Sequence, residues 1–347
     1  MLLLPFSLVY GLIIYIRNWL FNRNILRSAS FNLPVICIGN LSVGGTGKSP
    51  MVEFLIGKLK TEFEVAVLSR GYKRKTRGYA LAGEGSTALE IGDEPMQFHN
   101  KFPDVAVAVG EERVFAIPQL LHDKPDTRVI LLDDAFQHRS VKAGFNILLT
   151  DHSNLYTRDW FLPTGDLRDQ AGSARRAQII VVTKCPPDLS LAEKNQLVKE
   201  INPRPGQQVF FTAISYGKPY QIVTHEHWTA SSKTEVLLVT GIANPGPLKK
   251  HLEETFNGYD ELAYSDHHIF TIDDLKYILK KFDHLNSPGK IILTTEKDAV
   301  RLQKFSQQLR ELPVFVIPIQ PVFLFFEESR FTGFITTFIQ EFPDQAN

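Results

Sequence analysis

From residue 34 onward, short apolar, β-branched runs alternate with amphipathic stretches. The runs at 35–39, 65–68, 105–109, 129–132, 147–149, 179–182 and 209–213 are mostly apolar throughout rather than at every second position. Neither side of such a strand tolerates water, which predicts parallel strands covered on both faces. Amphipathic segments such as 50–60 and 111–121 supply helices between them, so the rhythm predicts βαβ units. After Ser215 the pattern changes. A polar stretch over 216–228 reads as a short β ribbon, and further runs at 236–239, 260–263, 291–294 and 314–317 predict a second, smaller α/β set.

The first 28 residues do not follow this rhythm. Residues 1–16 are almost entirely apolar and lead into Arg17, Arg23 and Arg27, with no acidic residue before Glu53. The run is shorter than the about 20 residues of a spanning helix. An export signal places cations before its apolar stretch, and here they follow it. Apolar residues with Tyr10, Tyr15 and Trp19, then arginines, predict a helix partly sunk in a bilayer with its cations at anionic headgroups. The expected organisation is therefore a membrane-associating helix (1–28), a first domain (29–215), a hinge ribbon (216–232) and a second α/β lobe with the C-terminal segment (233–347).

Charge and cysteine content narrow the classes. Lys+Arg and Asp+Glu both number 38, so no net field draws the chain to nucleic acid, and no basic stripe with interleaved aromatics is present. No obligate protein partner is evident. Cys37 and Cys185, neither at CxxC spacing, read as buried free thiols of a reducing compartment.

One stretch carries chemistry directly. Val35-Ile36-Cys37-Ile38-Gly39 reads as a buried strand. It is followed by Ser42-Val43-Gly44-Gly45-Thr46-Gly47-Lys48-Ser49 and then by a helical segment with Pro50 in its first turn. Strand, glycine loop and helix start together predict a phosphate-binding loop. Ser42 to Ser49 would close backbone N–H groups around a nucleotide at the positive end of the helix dipole. Lys48 would reach the β- and γ-phosphates and Ser49 would ligate Mg²⁺. Ser42 occupies the position of the pattern's first glycine. Downstream, the run 129–132 ends in Asp133-Asp134, and two adjacent acids at a strand's carboxyl end repel unless a cation lies between them. Both are candidate Mg²⁺ ligands beside the phosphates of ATP.

These motifs resemble the tetraacyldisaccharide 4'-kinases. The resemblance rests on Gly39–Pro50, Ser69-Arg70-Gly71-Tyr72, Gly92-Asp93-Glu94-Pro95, Asp133-Asp134-Ala135-Phe136-Gln137-His138, Leu162-Pro163-Thr164-Gly165, Thr240-Gly241-Ile242-Ala243-Asn244-Pro245, Asp266-His267-His268 and Thr295-Glu296-Lys297-Asp298. Three positions depart from the usual pattern: Ala135 for Gly, Ser49 for Thr, and Asp169-Gln170 for Glu-Pro. The resemblance implies a P-loop NTPase-like α/β fold with a mostly parallel sheet. It implies ATP- and Mg²⁺-dependent phosphorylation of the 4'-hydroxyl of a lipid A precursor, a tetraacyldisaccharide 1-phosphate, at the cytoplasmic face of the inner membrane. It also implies that Asp93, paired with His267, handles the attacking hydroxyl, with Lys48, Asp133 and Asp134 completing the catalytic set.

Five cations crowd residues 69–77. From this loop Arg70, Lys73 and Arg74 are candidate contacts to substrate phosphate, together with His138 and Arg168. The alternative is a P-loop ATPase or GTPase of the metallochaperone type without a lipid acceptor. Thr183-Lys184-Cys185-Pro186 lacks the Asn and Asp of a guanine reader, which favours ATP.

Overall fold

The computed structural model describes residues 3–228, 234–256, 258–285, 287 and 289–345. The chain opens with helix α1 (Leu4–Asn22). It continues through β1 (Val35–Asn40), α2 (Lys48–Leu59), β2 (Val65–Ser69), β3 (Ala80–Leu81), α3 (Ala88–Ile91), α4 (Asp93–Lys101), β4 (Ala106–Val109) and α5 (Arg113–Asp123). Next come β5 (Val129–Asp133), β6 (Phe145–Asp151), β7 (Ile179–Thr183), α6 (Leu191–Ile201) and β8 (Gln208–Tyr216). The remainder is β9 (Tyr220–Gln221), β10 (Glu235–Thr240), α7 (Gly246–Thr255), β11 (Tyr259–Ala263), α8 (Ile272–Asp283), β12 (Lys290–Thr295), α9 (Glu296–Leu302), α10 (Ser306–Leu309), β13 (Val314–Ile317), β14 (Ile319–Phe323) and α11 (Glu328–Gln345).

Two compact units result: Met1–Ile214 with Pro321–Asn347, and Ser215–Gln320. In the first, the sheet order is β14-β8-β7-β6-β1-β5-β2-β4-β3. The pairs from β8 through β4 are parallel, and β3 is antiparallel to β4. Alternate residues of β1 enter different cores. Val35 and Cys37 pack with Ile117, Leu120, Leu197 and Ile201 of α5 and α6. Ile36 and Ile38 pack with Met51, Leu55, Phe98 and Phe331 of α2, α4 and α11. Both faces are therefore covered, which is why the strands read as continuous apolar runs. Cys37 and Cys185 are buried free thiols, both pushed up to about 12 by burial.

The placement of 233–347 in one lobe is corrected. β14 and α11 return to the first unit, with β14 at the edge beside β8. Phe323, Phe331, Ile335, Phe338 and Ile339 are buried in its core, each contributing about 1.5–3 kcal/mol of burial. The Phe323 and Phe331 rings lie 4.5 Å apart, and Phe210 meets Phe331 edge-on at 5.3 Å. In the second unit the sheet order is β11-β10-β12-β13-β9. It is parallel except for β9, which pairs antiparallel with β13. β9 comes from the expected ribbon, so that ribbon supplies an edge strand of this sheet. Its residues 229–232 lie outside those described, as do residues 1 and 2 of the expected N-terminal helix.

Helix α1 docks by its few small and polar residues and leaves its apolar ones outside. Ser7, Gly11 and Asn18 are its buried residues. The Ser7 hydroxyl donates to Thr164 Oγ1 (2.6 Å), Tyr10 donates to the Arg168 carbonyl (3.1 Å) and Arg17 donates to the Gln137 carbonyl (2.7 Å). Asn18 donates to Asp169 Oδ1 at 2.7 Å, and Asp169 also takes the Arg176 guanidinium at 3.0 Å. The shorter acid at position 169 is thus wholly buried and serves as the anchor of α1. Phe6, Leu8, Val9, Leu12, Ile13 and Tyr15 each remain more than half exposed. The helix has 19 residues and is apolar enough to cross a membrane by length and composition, longer than its apolar run suggested.

Candidate active site

The parallel register brings separate motifs to one edge of the first sheet. Ile38 of β1 lies opposite Asp133 of β5, and Leu132 of β5 lies opposite Leu68 of β2. The loops leaving β1, β2 and β5 therefore open side by side at the carboxyl ends of their strands, where ligands of open α/β sheets bind. Gly39 permits the closest of these approaches. A Cβ there would stand 2.6 Å from Phe136 Cβ, so only glycine lets β1 run beneath the acidic loop.

The glycine loop is held at both ends. Ser42 forms an antiparallel bridge with Leu167, and Val43 N–H donates to the Asp166 carbonyl at 2.8 Å. The backbone there is extended, so no glycine is needed at Ser42. Gly44 and Gly47 carry the positive φ angles, 97° and 80°, and Gly47 is the N-cap of α2. Between them Thr46 is fixed by its hydroxyl, which accepts from Asn40 Nδ2 (2.7 Å), and by its carbonyl, which accepts from Thr183 (2.9 Å). Gly45 and the first N–H groups of α2 complete the phosphate cradle expected of residues 42–49.

The two acids differ in every respect. Asp134 has φ 49° and is clamped by Arg168, which also donates to Asn40 Oδ1. Lys48 Nζ lies 3.8 Å from its carboxylate. Burial pushes Asp134 up, but Lys48 and Arg168 outweigh it and hold the carboxyl at about 2. Asp133 is 1% exposed. One of its oxygens accepts from Ser69 (2.9 Å), while the other is buried with no hydrogen-bond partner. Burial first, then the charges of Glu94 and Asp134, push it upward. Glu94, in the first turn of α4, accepts a hydrogen bond from the Ser49 hydroxyl at 3.1 Å.

An orphaned carboxylate oxygen on Asp133, a second acid at Glu94 and the Ser49 hydroxyl make a donor set that fits Mg²⁺. No group of three His, Cys, Asp or Glu side chains is close enough to cage a metal among the described residues.

The candidate substrate contacts separate into two kinds. Arg70 and Lys73 are exposed on the loop after β2. Arg74 is turned inward instead: it donates to Glu111 at 2.6 Å and to the Gly78 carbonyl, which closes that loop. Arg168 likewise donates to Asp134. His138 is half-buried and pushed down to about 4 by burial, then by Arg113 and Arg70, so its ring is neutral at pH 7.

Two contributors were not assigned from sequence. Glu94 stands inside a recognised motif, but its partner Ser49 is 45 positions away. Arg113 opens an amphipathic helix, where a cation reads as solvated, yet it is fully buried. It donates to the Gly110 carbonyl (2.5 Å) and the Asp133 carbonyl (3.3 Å), fixing the acidic strand end.

Asp93 is the first residue of α4, after Gly92 with φ 94°. His267 belongs to the second unit, where three further motifs converge. Asp298 accepts from Gly241 N–H (3.0 Å) and from Arg301 (3.0 Å), and Arg301 also reaches His267 Nδ1 (3.0 Å). His268, next in the chain, is bound to Asp274 at 3.0 Å and stacked on Tyr264, which gives it a structural role.

Residues 1–340 match the family described as Tetraacyldisaccharide-1-P 4'-kinase. The chain belongs to that family. A tetraacyldisaccharide 4'-kinase of Bacteroides thetaiotaomicron is 45% identical over 353 residues, covering 98% of this chain and 93% of the relative. That of Flavobacterium johnsoniae is 49% identical over 321 residues, covering 90% and 91%. Among solved structures, the "apo" form of LpxK from Aquifex aeolicus in complex with ATP has a TM-score of 0.74 at 28% identity, covering 97% of this chain and 98% of its own. The chain therefore has the fold of a kinase family, and the metallochaperone alternative is the less supported one.

Proposed function

We propose that the chain transfers the γ-phosphoryl group of ATP to the 4'-hydroxyl of a tetraacyldisaccharide 1-phosphate at the cytoplasmic face of a bacterial inner membrane. One observation carries the reading: the glycine loop ending at Lys48 and the acids Asp133 and Asp134 open side by side, with Ser49 and Glu94 completing one polar cradle. The lipid acceptor comes from the family.

In the reaction the 4'-oxygen bonds to the γ-phosphorus, the bond to the β-phosphate oxygen breaks, and ADP leaves. The N–H groups of residues 44–49 and the Lys48 ammonium hold the phosphates as charge spreads over their oxygens. Mg²⁺, held by Ser49 with Asp133 and Glu94, would neutralise charge on the β- and γ-oxygens. Arg168 keeps Asp134 ionised beside Lys48 and so fixes the ammonium in place. Asp93 orients the hydroxyl and accepts its proton late, as suits a loose transition state, and His267 is the second residue that the family resemblance assigns to that step. Arg70 and Lys73 are the exposed cations for the acceptor's phosphate. The test is ADP release by the purified full chain with and without detergent-dispersed tetraacyldisaccharide 1-phosphate. Acceptor-dependent release is expected; equal release without acceptor would make it an ATPase.

The exposed face of α1 rests on the membrane. Its polar stripe is held by Thr164, Arg168, Asp169 and Gln137, so the docked helix lies in the interface rather than crossing it. Those partners belong to the loops that support Asp134 and the glycine loop, which supports a site near the bilayer surface. Replacing both Leu12 and Ile13 with Asp removes two exposed apolar anchors worth about 1.5–3 kcal/mol each. Binding to anionic vesicles, read by co-sedimentation, should fall at least about a hundredfold. Transfer to the detergent-dispersed acceptor should be kept, and undiminished sedimentation would assign docking to another surface.

A further inference from the structure

Within the first unit, helices α2 and α4 both begin at the site, and polar contacts join them at successive turns. At the first turn the Ser49 hydroxyl donates to Glu94 at 3.1 Å. One turn further along α2 stands Glu53, the single acid of that helix, 5% exposed where Met51, Val52, Leu55 and Ile56 are also buried. One of its carboxylate oxygens accepts from Gln97 Nε2 and the other from Lys101 Nζ, both at 2.6 Å. Ser49 and Glu53 lie at i and i+4 of α2, and Glu94, Gln97 and Lys101 at i, i+3 and i+7 of α4. Each set therefore occupies one face of its helix, and the two faces meet.

A buried ion pair adds little to stability that an apolar residue of the same volume would not. What it adds here is register. We propose that Glu53 is a positioning residue: through Gln97 and Lys101 it fixes the start of α4, and with it Glu94 and Asp93, against the phosphate loop. The inference rests on the proposed transfer, in which Ser49 and Glu94 are metal ligands. One of these comes from α2 and the other from α4, so a shared ion depends on how the two helices are set against each other. Mg²⁺ demands near-ideal octahedral geometry, which leaves little slack between its ligands. A hydrogen bond at the helix starts fixes one point. A second tie, about 5–6 Å deeper along α2, fixes the direction of α4 as well. Lys101 offsets the buried charge, and the short, charge-assisted contact makes that second tie the stiffer of the two.

The experiment measures Mn²⁺ affinity of the full chain by paramagnetic resonance titration in the presence of a non-hydrolysable ATP analogue. Glu53→Met keeps the bulk of the side chain and removes both ties. It should weaken Mn²⁺ binding about ten- to a hundredfold, with affinity for the metal-free analogue unchanged. Glu53→Gln, which can still accept from Gln97, should recover part of the loss. The deciding readout is a double-mutant cycle with Glu94→Gln. Because Glu53 acts through Glu94, the double variant should bind Mn²⁺ no more weakly than Glu94→Gln alone. Additive losses overturn the proposal, and so does wild-type Mn²⁺ affinity in Glu53→Met. Should Glu53→Met fail to fold, Gln97→Met carries the test with the Glu53–Lys101 pair left in place; wild-type Mn²⁺ affinity there overturns the proposal equally. Wild-type Mn²⁺ affinity in Glu94→Gln would instead remove the metal reading on which the register matters, so the two failures are distinguishable.

Discussion

Asp93→Asn is expected to bind ATP as the wild type does and to transfer its phosphoryl group about 10²–10⁴-fold more slowly. The amide keeps the volume and the hydrogen-bonding reach of the side chain but cannot take up a proton. Asp93 lies at the first position of α4, set by Gly92 in a conformation (φ 94°) that side-chain-bearing residues rarely adopt. A Cβ on Gly92 would stand 3.1 Å from the Tyr72 carbonyl, so the helix start is also pressed against the loop after β2. The next residue, Glu94, reaches Ser49 at the mouth of the phosphate loop. Asp93 is therefore carried on a helix start beside the glycine loop, while the residues proposed to hold the nucleotide belong to that loop. That division is why rate and affinity should separate. ATP binding is read by titration calorimetry and transfer by single-turnover assay. Loss of nucleotide affinity matching the loss of rate would take the proton-acceptor role away from Asp93.

Burial on both faces makes a strand visible in sequence, and that decided which parts of the fold were legible. The runs at 35–39, 129–132 and 179–182 had no polar positions and became β1, β5 and β7 with only their ends adjusted. β3 has two residues and β14 includes Gln320 and Pro321, so neither carries a periodic signal. The return of α11 depends on Phe331 and Ile335 meeting the β1 face, a contact across some 300 residues that local pattern cannot encode. The phosphate loop was legible because its glycines and Lys48 act through local backbone geometry. Its supports were not. Arg74 and Arg168 read as substrate-facing cations, and each also bonds a carboxylate that only the fold brings near; Arg113 carried no signal in sequence and donates to the Asp133 carbonyl. The sheet register makes Asp133 and Asp134 unlike, since one lies inside β5 and the other in the turn beyond it.

Lys48→Ala should be the most damaging single change, and its damage should appear in binding as well as in rate. The Lys48 side chain is only 12% exposed and is held within 3.8 Å of Asp134 at the start of α2. A charge-assisted contact to a phosphate in such a site contributes about 1.5–3 kcal/mol, or about ten- to a hundredfold in ATP affinity. Because negative charge shifts toward the β–γ bridge as that bond breaks, the same ammonium matters more in the transition state, at about 10²–10³-fold in kcat. The fold should survive. Asp134 keeps both contacts from Arg168 when Lys48 is removed, so no buried charge is left alone. A thermal midpoint close to wild type together with a fall of about 10³-fold or more in kcat/KM is the expected pair of results. Lys48→Arg should not restore activity, since a planar fork cannot replace a compact ammonium in a loop closed around one point charge. Transfer by Lys48→Ala at near the wild-type rate would mean that the triphosphate is held elsewhere than in the loop of residues 42–49.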